Sequence, residues 1–150
     1  MLKKVGSKWT AILVFALGLA DLRADAITSK LLVAPSSSKL AGGTAKLIVG
    51  VLSREDSSYT GEYRIRVFPY FFKSETGKLL IGVSETSFRR MIEGDATSFA
   101  GRAITDGTGE TRQVTAKVLP AASDHGALTF TVATENGPLV FNTSYRIASP

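Results

Sequence analysis

The 150-residue chain contains no cysteine. That excludes disulfides, thiol nucleophiles, thiolate metal sites and a lipid-modified N-terminal cysteine. It has one histidine, His125, so a zinc site would lack the nitrogen and sulfur ligands that zinc prefers. Basic charge is not concentrated either. Lys3, Lys4, Lys8 and Arg23, with Asp21 and Asp25, fall in the first 26 residues, so 18 − 4 = 14 basic against 13 − 2 = 11 acidic residues remain, a balance of +3. With no run of like charges behind that excess, a nucleic-acid-binding stripe is not expected. Beyond residue 26 the sequence also lacks any sustained helical period, which excludes a helical bundle.

The first 26 residues have the make-up of a secretory signal peptide. Lys3, Lys4 and Lys8 precede the uncharged apolar run "WTAILVFALGLA" (Trp9–Ala20), and Ala24 and Ala26 fit an A-x-A cleavage site. The run is shorter than the ~20 residues a membrane-spanning helix needs. The expectation is a cleaved signal over 1–26, with a retained anchor as the competing reading, and then one domain over 27–150 with no membrane span. Export without disulfides points to a bacterial periplasmic or secreted protein.

The remainder is a series of short alternating runs separated by turn signals. Leu47, Val49 and Val51 share a face, as do Leu79, Ile81 and Val83, then Val114, Ala116 and Val118. Near the end, Leu128, Phe130 and Val132 lead into the Asn136-Gly137 turn, and Leu139, Phe141, Thr143, Tyr145 and Ile147 form the inward face of the return strand. Between residues 84 and 94, Phe88, Met91 and Ile92 have the spacing of a short helix, although a strand or irregular crossover also fits the letters. The expected fold is all-β: a single antiparallel immunoglobulin-like β-sandwich of about seven to eight strands with at most one short helix. A small closed β-barrel is the alternative, although an up-and-down barrel with a ligand cavity would require longer and more even strands.

The stretch "LLVAPSSSKLAGGTAKLIVGVLSREDSSYTGEYRIRV", residues 31–67, resembles the first strands of the periplasmic pilus-assembly chaperones, the PapD-like family. The resemblance implies an immunoglobulin-like first domain and a periplasmic, pilus-related role. In that family an arginine shortly after the proline anchors the C-terminal carboxylate of a bound subunit. This chain has Ser37 there, with Lys39 nearby, and its length leaves no room for the family's second domain.

Candidate sites follow from residue type and spacing. In "YRIRVFPYFF" a straight strand would put Arg64, Arg66, Phe68, Tyr70 and Phe72 on one face. Aromatics and arginine dominate binding surfaces, so this face would meet a protein or glycan partner at the cell envelope. Pro69 cannot donate to a ladder, and a bulge there would reverse the alternation. The favoured reading has Tyr70 and Phe72 joining Ile65 and Val67 inside, with Phe71, Arg64, Arg66 and Phe68 left outside. The final alternating strand invites edge pairing with a partner.

In "TDGTGE", Asp106, Thr108 and Glu110 alternate as calcium ligands do, with Asp95 as a further oxygen donor, but no bidentate glutamate completes the loop. A polar hairpin accounts for the same letters. His125 beside Asp124 admits a small secreted hydrolase, but no nucleophile motif accompanies the pair, and neighbouring strand residues point to opposite faces. Asn142-Thr143-Ser144 is a glycosylation sequon by letters alone and carries no meaning in a bacterial protein. No cofactor motif is found. The expected function is therefore non-enzymatic: an exported binding module or envelope component, with chaperone-like and hydrolase readings as alternatives.

Overall fold

The computed structural model describes residues 29–148, so the expected signal peptide lies outside the described residues. The alternating runs become ten strands: β1 (Lys30–Val33), β2 (Ser36–Leu40), β3 (Gly43–Val49), β4 (Leu52–Glu55), β5 (Ser58–Phe68), β6 (Glu75–Gly82), β7 (Thr97–Thr105), β8 (Thr111–Pro120), β9 (His125–Val132) and β10 (Leu139–Ala148). A helix, α1 (Glu85–Ile92), joins β6 to β7.

β1 and β2 behave as one strand interrupted at Pro35, which has no N–H to give a ladder. β3 and β4 are its antiparallel mate in a single register, with Lys30 opposite Ser53 and Ser36 opposite Leu47. Against β5 the register slips by one. Val49 faces Tyr63, whereas Ser53 faces Thr60, so the β3–β4 side carries one extra residue, a bulge at Gly50–Val51. The bulge turns Val51 outward and buries Leu52, which corrects the expectation that Val51 shares a face with Leu47 and Val49.

From β4 onward each strand pairs with its neighbour in sequence, and β10 returns to pair with β1. The ring β1–β4–β5–β6–β7–β8–β9–β10 is a closed antiparallel barrel, and the β2–β3 hairpin extends it beyond one end. The two-sheet immunoglobulin-like sandwich is thus corrected to the closed barrel that was its alternative. Alternation shows which side chains turn inward, but it does not show which strand edges meet. Several strands are long: β5 has 11 residues, and β8 and β10 have 10 each. The last strand is not an edge along its C-terminal half, because β1 covers Tyr145–Ala148.

Inward positions carry the core. Leu47, Ile65, Leu79, Val114, Phe130 and Phe141 are all buried. One end is plugged by α1, whose N-terminus Ser84 caps by accepting a hydrogen bond from Ser87 N at 3.1 Å. Phe88 and Met91 point into the barrel, with Arg54 stacked over the Phe88 ring at 4.2 Å. Ile92 is 40% exposed. At this plugged end only about 20 Å³ of free space remains between Tyr59, Met91, Phe99 and Phe130. Among the described residues no helix is long and apolar enough to cross a membrane.

Candidate functional site at the barrel mouth

The end away from α1 is open. There β5, β7 and β9 finish, β6, β8 and β10 begin, and the Ala41-Gly42 turn of the β2–β3 hairpin projects over the rim. A cavity of about 750 Å³ opens at this mouth, within the size range of small-molecule sites. Its apolar wall is formed by inward side chains of three strands, Ile65 and Val67 of β5, Val132 of β9 and Leu139 of β10, with Leu40 at the hairpin.

Beside this wall stands a polar set on the same inward register, with Glu75 directly across the β5–β6 ladder from Ile65. Glu75 falls in step with Leu79 and Ile81, and Arg112 in step with Val114 and Ala116. Arg112 donates from Nε to Glu75 Oε1 and from Nη2 to Glu75 Oε2, both at 3.3 Å. Glu110 lies 3.8 Å from Arg112 Nη2. The Tyr63 hydroxyl donates to Glu75 Oε1 at 3.2 Å and lies 3.5 Å from Thr105 Oγ1. Burial pushes the Tyr63 pKa up, and the neighbouring Glu75 carboxylate adds to this, so the phenol stays protonated as a donor. Arg112 Nη1 has no partner among the described residues and is available to an acceptor.

The rim carries the aromatics. β5 ends at Phe68, the Phe68–Pro69 peptide is cis, and a 3₁₀ turn spans Phe71–Lys73. Phe68 is 64% exposed, Tyr70 39%, Phe71 65% and Phe72 82%. This corrects the favoured bulge reading: neither Tyr70 nor Phe72 enters the core, because the strand stops at Pro69 instead of continuing past it. The rings pair edge to face, Phe68 with Phe71 at 5.7 Å and Tyr70 with Phe72 at 6.1 Å between centroids. Tyr70 borders the cavity, its ring under the Lys73 ammonium at 5.5 Å. Its hydroxyl reaches over Gly42, where an added Cβ would lie 3.3 Å from it. Arg64 and Arg66 lie exposed on the outer face of β5, in step with Phe68.

The other candidates are scattered. Asp106 accepts from Thr76 Oγ1 at 3.1 Å, Thr108 Oγ1 accepts from Glu110 N, and the Glu110 carboxylate turns to Arg112. Asp95 lies at the α1 end, where its carbonyl accepts from Thr97. Among the described residues no three acidic or imidazole groups gather as a metal site would need. His125 and Asp124 do meet, Nδ1 to Oδ1 at 2.8 Å, against the expectation from strand alternation, because Asp124 belongs to the bend before β9. The hydrogen bond from His125 holds the Asp124 carboxyl below its ordinary pKa. The pair is exposed at the plugged end, and among the described residues no hydroxyl bonds to the imidazole.

Sequence reasoning missed the Glu75–Arg112–Tyr63 set. A signal was present, since each charged residue occupies the apolar parity of its strand, one turn of the alternation before the buried residues begin. Compared with protein-family models, with curated proteins and with solved structures, the chain matches none.

Proposed function

We propose that the protein is an exported, non-enzymatic binding protein whose barrel mouth holds a small amphipathic molecule. The observation that carries this reading is the cavity of about 750 Å³, whose lining sets apolar side chains beside the Glu75–Arg112 pair. An eight-stranded barrel has an interior just wide enough to hold one small ligand, and here α1 closes one end only. The apolar body of the ligand lies against Ile65, Val67, Val132 and Leu139. Its polar head accepts from Arg112 Nη1. The guanidinium is held by two carboxylates, so the head need not be anionic: a hydroxyl or carbonyl suffices. Secretory features of residues 1–26 support export, and the separation of His125 at the plugged end from Asp106 at the open end supports a role without catalysis.

Two measurements test it. Native mass spectrometry of the purified protein should find a bound small molecule or uptake of an added amphiphile. A solvent-sensitive apolar dye should light up with wild type, and Leu139→Trp, which narrows the mouth, should weaken that signal without lowering the melting temperature. Equal dye uptake by wild type and a folded Leu139→Trp protein would remove the cavity as the site.

A further inference from the structure

The aromatic rim also faces outward, and its surroundings are asymmetric in charge. On the β2, β3 and β5 side, outward positions between the rim and Glu62 carry Lys39, Lys46, Arg64 and Arg66 and no acid. Lys46 and Arg66 sit opposite each other across the β3–β5 ladder. The acidic rim residues Asp106, Glu110 and Glu135 belong to other loops, between β7 and β8 and between β9 and β10. Four exposed rings thus stand at the end of a basic strip. Such a combination suits the boundary of an anionic bilayer, where aromatic rings settle at headgroup level and basic residues meet the lipid charge.

We propose that this rim docks on an anionic lipid surface, with Phe68, Phe71 and Phe72 entering the headgroup boundary and Lys46, Arg64 and Arg66 contacting lipid phosphates. The ring geometry favours a bilayer over a stacked sugar or base. Phe68 and Phe71 are inclined at 77°, and Tyr70 and Phe72 at 73°, so neither pair offers a flat platform. The barrel's apolar interior and charged outer face leave it on the membrane, not across it. Docking by this rim does not depend on what fills the cavity, although it brings the mouth beside the bilayer.

The test is co-sedimentation of the full chain with vesicles of one part phosphatidylglycerol to two parts phosphatidylcholine, and with pure phosphatidylcholine. Because Trp9–Ala20 is itself apolar, the readout is the difference between variants of the same chain. Wild type should bind the anionic vesicles and lose binding as salt rises. Phe71→Ala/Phe72→Ala should weaken it more than about tenfold, and Arg64→Gln/Arg66→Gln about thirtyfold, at roughly a factor of five per basic residue. All four positions are exposed, so both variants should keep the wild-type melting temperature, and both should keep dye uptake in the cavity. Unchanged sedimentation of either folded variant would overturn the proposal. So would equal binding to both vesicle types, or retention of a single-stranded oligonucleotide or soluble glycan in place of vesicles.

Discussion

Arg112 meets Glu75 through two N–H···O contacts of equal length, 3.3 Å, inside the barrel mouth. Both side chains are mostly shielded from water, so each needs the other. Arg112→Met should leave the Glu75 carboxylate with Tyr63 alone and cost about 2 kcal/mol, the scale for losing hydrogen bonds to a charged group. Glu75→Gln should cost a similar amount. The double variant Glu75→Gln/Arg112→Met should recover part of the loss, because it buries no unpaired charge. Urea unfolding of the four proteins checks this, and additive losses would show that the pair is not coupled.

That pair also marks the limit of what the sequence made legible. Inward faces such as Leu128, Phe130, Val132 and Leu139, Phe141, Tyr145 could be read from alternation, since apolar burial imposes that period. The pairing of β10 with β1 could not, because closure depends on the bulge at Gly50–Val51 and on strand twist, neither of which has a letter code. Tyr70 and Phe72 were expected inside beside Ile65 and Val67, and they stay exposed with Phe68 because a strand end and a turn, not a bulged strand, present them. The helix was one of two readings for residues 84–94, and its two buried residues sit at the expected spacing, while Ile92 belongs to its wet side.

Alkaline pH should destabilise the barrel through its tyrosines. Burial raises the pKa of Tyr59, Tyr63 and Tyr145 above the ordinary value of 10.0, Asp124 adding to the effect at Tyr145. A raised folded-state value means the fold disfavours the phenolate. The stability from keeping these phenols neutral is fully present below pH 10 and is lost as pH rises above it, through the folded-state values. Tyr145→Phe should match wild type near pH 7 and lose less stability at about pH 11. Melting temperatures at the two pH values check this, and parallel losses would discount Tyr145.

Gly77 should tolerate no side chain. It faces Tyr63 across the β5–β6 ladder, and an added Cβ would lie 2.1 Å from the Ile104 carbonyl oxygen and 2.8 Å from Tyr63 Cε1. The nearer contact is with backbone, so no rotamer change relieves it, and Gly77→Ala should cost about 3 kcal/mol. Gly107→Ala is the control. It has open space around it and a φ of +83°, so only the left-handed backbone opposes the substitution, at about 1 kcal/mol. Reversed ranking of the two variants in chemical denaturation would contradict the account of β6 packing.

The plug should depend on Phe88 and not on Ile92, although both are apolar residues of α1. Phe88 is buried against Tyr59, with ring centroids 6.2 Å apart, and the Arg54 guanidinium lies over its ring at 4.2 Å. Phe88→Ala removes a ring from a closed space and should cost about 3 kcal/mol, the lower end for a buried phenylalanine because the barrel end can partly collapse. Ile92→Ala should change stability by less than about 0.5 kcal/mol, as for other exposed sites. Arg54→Ala should fall between them, at about 1 kcal/mol, through the lost cation–π contact. In Phe88→Ala the further cost of Arg54→Ala should then vanish, since the guanidinium no longer has a ring to cover. A double-mutant cycle measured by thermal unfolding checks this directly. A full additional loss from Arg54→Ala in that background would mean that Arg54 stabilises the barrel by some contact other than Phe88.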